Sequence, residues 1–237
     1  MDKSCNILLY SAFTRMLPSI KYITKFLKTK NINPQQAKVL FVPFADEQNK
    51  YYIALCKQAL LLCGIQKSNI GTLTSHTHKT AKADIIFVSG GNVCALKEKL
   101  IKIDWLNELK NRIFSGTLYI GDSAGAVILG KTIAHTLDYE PYDTTSLDNL
   151  DGLNIIDKGV VVHYSLYKYS GKQGLVKEQE CYDAHIKQTL FLGKNNFLTI
   201  GNNQVIIIKN GKLKNKFFRW RTIQKTTDAE SQKYGKR

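Results

Sequence analysis

Residues 116–130, Gly-Thr-Leu-Tyr-Ile-Gly-Asp-Ser-Ala-Gly-Ala-Val-Ile-Leu-Gly, constrain this chain more than any other stretch. Leu118, Tyr119 and Ile120 form a short apolar run that suits a buried strand. Gly121-Asp122-Ser123-Ala124-Gly125 is a sharp turn, and Ala126 to Leu129 suit a buried helix. Strand, tight turn and helix around G-x-S-x-G is the context of a nucleophile elbow, in which the serine sits in a strained backbone conformation. The flanking glycines let strand and helix approach closely. Ser123 would then stand at the head of a helix, where free N–H groups favour developing negative charge. The pentapeptide alone is equally compatible with a plain glycine-rich loop, so the rest of the chain must supply partners.

The flanking pattern is that of an α/β protein. Residues 7–11, 38–44 and 84–88 are apolar runs of strand length, and 70–73 is a weaker one. Continuous rather than alternating hydrophobicity points to strands covered on both faces. Between them, residues 17–27 place apolar side chains at helical spacing, and 49–63, 93–100 and 105–113 are further helices, with Gly64 as a cap. Strands alternating with helices predict βαβ units and a mostly parallel, helix-covered sheet, a three-layer α/β sandwich. After the elbow, residues 132–151 are polar and irregular and carry Asp138, Glu140, Asp143, Asp148 and Asp151. Residues 158–164 form a β-branched strand ending at His163, and 175–190 a charged helix. Short strands at 197–200, 204–209 and 212–217 surround Gly201-Asn202 and Asn210-Gly211, the latter a hairpin signal. One domain over residues 1–222 and a polar tail over 223–237 follow.

Composition excludes several classes. With 43% hydrophobic residues and four prolines in 237 residues, the chain is globular. No apolar stretch approaches the roughly 20 residues of a membrane span, and the first residues carry no signal-peptide pattern, so a cytoplasmic location is expected. The odd set of Cys5, Cys56, Cys63, Cys94 and Cys181, without a C-x-x-C pair, fits a reducing compartment. His76 and His78 lack further ligands at metal spacing, and no cofactor or metal is expected. The net charge is +15, but the lysines are spread along the chain, which reads as a solvated surface rather than a nucleic-acid face.

Acyl transfer by serine needs a base, a group that orients the base, and donors for an oxyanion. In an open parallel sheet such groups collect at the carboxyl ends of the strands. Residues 84–88 run into Ser89-Gly90-Gly91-Asn92, a glycine pair whose N–H groups could face an oxyanion, and the Ala124 N–H is the natural second donor. His163, at the end of its strand, is the candidate base. Asp138, Glu140 and Asp143 compete as the orienting acid.

These residues together resemble the peptidase E (aspartyl dipeptidase) family of serine peptidases, which also includes the cyanophycinases. The resemblance rests on Gly90-Gly91-Asn92 after a strand, on residues 119–126 and on His163, and extends from the first strand to the last hairpin. It implies a fold similar to the class I glutamine amidotransferases (flavodoxin-like topology) with a C-terminal β-hairpin. It implies hydrolysis of peptides with an N-terminal aspartate, dipeptides above all. A small peptide substrate and a monomer or homodimer are expected. It implies Ser123 as nucleophile, His163 as base, Asp138 as the triad acid, and Gly91 and Ala124 as oxyanion donors. Gly90 and Asn92 would face the substrate. Lys177 would stand where the family's arginine holds the substrate aspartate, keeping the charge without the bidentate fork. Two rivals remain at this point: an α/β-hydrolase-like esterase, although His163 follows Ser123 by only 40 positions, and a non-catalytic binding module on the same scaffold.

Overall fold

A computed structural model describes residues 5–15, 20–74, 82–137, 141–164, 196–210 and 212–217. In chain order the elements are β1 (Asn6–Tyr10), α1 (Lys21–Thr29), β2 (Val39–Val42), α2 (Lys50–Leu61), β3 (Ile70–Thr72), β4 (Ile85–Val88), α3 (Val93–Lys102) and α4 (Leu106–Phe114). They continue with β5 (Leu118–Asp122), α5 (Ala124–Val127), β6 (Gly159–Val161), β7 (Phe197–Thr199), β8 (Gln204–Lys209) and β9 (Lys212–Phe217).

Seven strands form the central sheet in the order β3-β2-β4-β5-β1-β8-β9. The first five of these positions are mutually parallel, and β8 and β9 are added antiparallel as a hairpin. Side chains alternate across the sheet, and both faces are apolar. Ile7, Leu9, Leu40, Val42, Ile86, Val88 and Tyr119 pack with α3, α4 and α5 on one side. Leu8, Tyr10, Val39, Phe41, Ile85, Phe87, Leu118 and Ile120 pack with α1 and α2 on the other. This is why the strands read as continuous hydrophobic runs: each residue faces one of two cores, and each buried aliphatic side chain contributes about 1.5–3 kcal/mol. The three-layer, mostly parallel architecture expected from the pattern is the one observed. At one edge, β9 places Lys212, Lys214 and Lys216 at alternate positions opposite Lys209, Ile207 and Val205. Lysines on an open edge strand discourage pairing with another chain.

Helix boundaries follow local chemistry. Asn49 caps α2, its side chain accepting from the Tyr52 N–H, and Gly64 terminates the turn after it at φ +84°. In contrast, α5 stops after a single turn instead of running to residue 129. Residues 153–156 come in from the acidic loop and take the freed carbonyls: Leu153 N–H donates to Ile128 O at 2.7 Å, and Ile155 and Ile156 both donate to Leu129 O at 3.0 Å. Lys97, only 3% exposed, holds that loop from α3. Its Nζ donates to Asn149 O, Asn149 Oδ1 and Asp151 O at 2.7–2.8 Å.

One element departs from its expected place. The strand before His163 lies outside the central sheet. It is the short β6, paired in parallel with β7 in a separate two-stranded sheet. His163 therefore reaches Ser123 from this separate small sheet rather than as the end of a central-sheet strand. The expected helix at 175–190 and the tail at 223–237 lie outside the described residues. No described helix is long and apolar enough to cross a membrane.

Candidate active site

Because β1, β2, β4 and β5 are parallel, their carboxyl ends share one edge, which gathers Ser11, the loop through Asp46, Gly90-Gly91 and Ser123. The antiparallel β8 starts at that same edge, since Val205 pairs with Tyr10, and so brings Asn202 beside them. A cavity of about 320 Å³ opens there, lined by Ser11, Asp46, Tyr52, Gly91, Ser123 and His163 among others.

Ser123 has φ +48° and ψ −109°, a region that side-chain-bearing residues rarely enter. Such strain costs about 1–3 kcal/mol and persists only when the surroundings over-determine it. Here Ser123 N–H donates to Tyr10 O at 2.9 Å, and Ser123 O accepts from Ala126 and Val127 N–H at 2.8 and 3.0 Å. Two glycines make the turn possible. A Cβ on Gly121 would lie 2.4 Å from Gly125 O, and one on Gly125 would lie 2.3 Å from Val88 O. Tyr119 Oη closes the packing with a 2.5 Å hydrogen bond to Gly125 O. With a single turn of helix behind it, Ser123 gains little from a macrodipole, and the local N–H groups carry the electrostatics.

Ser123 Oγ lies 3.1 Å from His163 Nε2. On the other side of the ring, His163 Nδ1 lies 3.0 Å from Asn202 Oδ1 and 3.2 Å from Ser11 Oγ. Ser11 donates its one O–H to Asn202 Oδ1 at 2.8 Å, and its oxygen accepts the His163 backbone N–H at 2.6 Å. With that arrangement the Asn202 and Ser11 oxygens beside Nδ1 are acceptors, which favours the tautomer with N–H at Nδ1 and Nε2 as acceptor for the Ser123 hydroxyl. His163 itself has φ +58°, a second strained residue at the same site.

The glycine pair divides its duties. Gly90 N–H donates to Tyr52 Oη at 3.0 Å. Gly91 has φ +130°, and a Cβ there would lie 2.4 Å from Ala45 O. The Gly91 and Ala124 N–H groups have no acceptor among the described residues. Asn92, expected at the substrate, instead caps α3, its Oδ1 accepting from Ala95 N–H at 3.0 Å. Of the three competing acids, Asp143 is exposed and accepts the Thr145 N–H in a local turn, which holds its carboxyl below the usual range. Asp138 and Glu140 lie outside the described residues, as do Lys177, His76 and His78.

A carboxylate unforeseen as part of the network sits inside the motif itself. Asp122 is 2% exposed, accepts Phe13 N–H at 2.8 Å on Oδ1, and receives a short hydrogen bond from Tyr52 on Oδ2. Tyr52 thus bridges Asp122, the residue before Ser123, to the glycine loop. Burial pushes the Asp122 carboxyl up to about 6, against the pull of these donors. Burial, with Asp122 beside it, drives the Tyr52 hydroxyl far above its ordinary range and the neighbouring Cys56 thiol up to about 12. An acid whose folded pKa is raised favours folding when protonated, so its contribution falls as pH rises from about 4 to about 6 and is flat above. Asp122→Asn keeps an acceptor for Phe13 and removes the buried charge. The stability difference between variant and parent should therefore move in the variant's favour by roughly 2–3 kcal/mol between pH 4 and pH 6.5. Urea unfolding at a series of pH values measures this, and a pH-independent difference would refute it.

The chain is similar to known proteins over most of its length. The family model described as Peptidase family S51 matches residues 7–216. An uncharacterized peptidase of Listeria monocytogenes is 31% identical over 213 residues, covering 86% of this chain and 94% of the relative. Peptidase E of Shewanella putrefaciens is 28% identical over 178 residues, covering 73% of this chain and 72% of the relative. The crystal structure of a candidate peptidase E from Listeria monocytogenes superposes with a TM-score of 0.66 at 25% identity, over 91% of this chain and 99% of that one. With a match that runs from β1 into β9, the chain belongs to peptidase family S51.

Proposed function

We propose that this peptidase is a serine dipeptidase that cleaves short peptides after an N-terminal residue, with aspartate the preferred one. The reading is carried by one observation: Ser123 Oγ, in a strained turn, lies 3.1 Å from a His163 nitrogen whose partner nitrogen is held as N–H. Ser123 attacks the scissile carbonyl as Nε2 takes its proton. The Gly91 and Ala124 N–H groups receive the oxyanion. His163 then returns the proton to the leaving amine, and water, activated by the same ring, hydrolyses the acyl-enzyme. Asn202 Oδ1, rather than the Asp138 expected from the resemblance, is the orienting group in this mechanism. The aspartate preference follows from the resemblance to the aspartyl dipeptidases, with Lys177 as the residue that would hold the substrate carboxylate.

A fluorophosphonate should label the protein at Ser123, and aspartyl-p-nitroanilide should be cleaved faster than the alanyl, leucyl and lysyl analogues. No labelling refutes the activated serine. Labelling with a flat or inverted panel keeps the serine and refutes the aspartate preference.

A further inference from the structure

Among the described residues that line the cavity, Asp46 is the one carboxylate that the network around Ser123 leaves unused. It lies in the loop between β2 and α2, and that loop is packed onto the glycine pair: Asn92 N–H donates to Ala45 O at 2.9 Å. A Cβ on Gly91 would lie 2.7 Å from the Cβ of Asp46, so the two residues are in direct contact. Both oxygens of Asp122 are engaged, by Phe13 and Tyr52. The Asp46 carboxylate, by contrast, makes no hydrogen bond or ion pair with another described residue. Lining the cavity with Asp46 and Asp122 are neutral groups and His163, and the described lining contains no lysine or arginine.

We propose that Asp46 binds the α-ammonium of the substrate, and so restricts the enzyme to peptides with a free N-terminus. The inference rests on Ser123 as nucleophile and Gly91 as oxyanion donor. In the residue being attacked, the ammonium nitrogen is two bonds from the carbonyl carbon. With the carbonyl oxygen at the Gly91 N–H, that nitrogen comes within a few ångströms of Gly91, where Asp46 stands. An acylated N-terminus loses the charge, adds bulk, and leaves the carboxylate desolvated without a partner, which binding sites reject strongly. Asp46 thereby sets the exopeptidase register, a role separate from side-chain selection by Lys177.

The test compares aspartyl-p-nitroanilide with its N-acetyl counterpart. The parent protein should favour the free amine by about 100-fold in kcat/KM, and Asp46→Asn should reduce that preference about 10- to 100-fold, chiefly through KM. In the parent, KM for the free amine should rise as pH passes the ammonium pKa near 8; in the variant that rise should disappear. A merely structural role for Asp46 would alter neither the ratio nor this pH limb. Protection of the parent and variant against fluorophosphonate by free and N-acetylated dipeptides reads the same preference without turnover. Fluorophosphonate reactivity of the parent separately reports the serine. An equal preference in parent and variant, by either readout, overturns the assignment.

Discussion

Ser123→Ala is expected to lower kcat for aspartyl-p-nitroanilide by about 10⁴- to 10⁶-fold, because nucleophile and base act as one unit and the loss of either removes the covalent route. Fluorophosphonate labelling should vanish with it. The fold should survive. The substitution keeps Cβ and all the backbone hydrogen bonds that hold residue 123, from Tyr10, Ala126 and Val127. The strain at φ +48° stays as well, so the melting temperature should move by no more than a few degrees. Ser123→Gly, which relieves that strain, should be more stable than the parent by about 1 kcal/mol while equally inactive. Steady-state kinetics with thermal melts of the three proteins measure this. Turnover of Ser123→Ala within tenfold of the parent would rule out Ser123 as the nucleophile.

The second large effect concerns the group behind His163. Asn202→Ala removes the acceptor that, with Ser11, keeps the ring proton on Nδ1. The ring can then adopt the wrong tautomer, and kcat should drop about 10²- to 10⁴-fold with KM little changed. Asn202→Asp places a negative charge at that nitrogen, which favours imidazolium. The acid limb of the kcat/KM profile should therefore shift to higher pH. Asp138→Asn serves as the counter-experiment. With Asn202 as orienter it should cost less than tenfold, whereas a loss above 100-fold would return the role to the acid suggested by the family resemblance. An uncharged orienter holds the ring in place without neutralising the imidazolium, so the Asp variant isolates the value of a charge at that position.

Much of this could be read along the chain. The doubly covered strands, the helices between them and the elbow are local patterns, set by side-chain periodicity and by glycines at Gly121 and Gly125 that nothing larger could replace. His163 stood out by following a β-branched run. Asn202 did not, because it reads as an ordinary turn residue beside Gly201. Ser11 and Tyr52 likewise carry no local mark: one follows a strand, the other lies in the first turn of a helix. The buried state of Asp122 is invisible in a motif where its position is formally variable.

The sheet's composition, the glycine-framed turn at Ser123 and the candidacy of Ser123 and His163 were all legible along the chain, since each depends on residues adjacent in it. Only the tertiary structure decided what stands behind the base and beside the glycine loop. Parallel strands bring Ser11, Asp46 and Ser123 to one edge, and the antiparallel β8 delivers Asn202 there from residues far along the chain. Which neutral or charged group meets Nδ1 is settled by strand direction and register, and neither is written in any local run of residues.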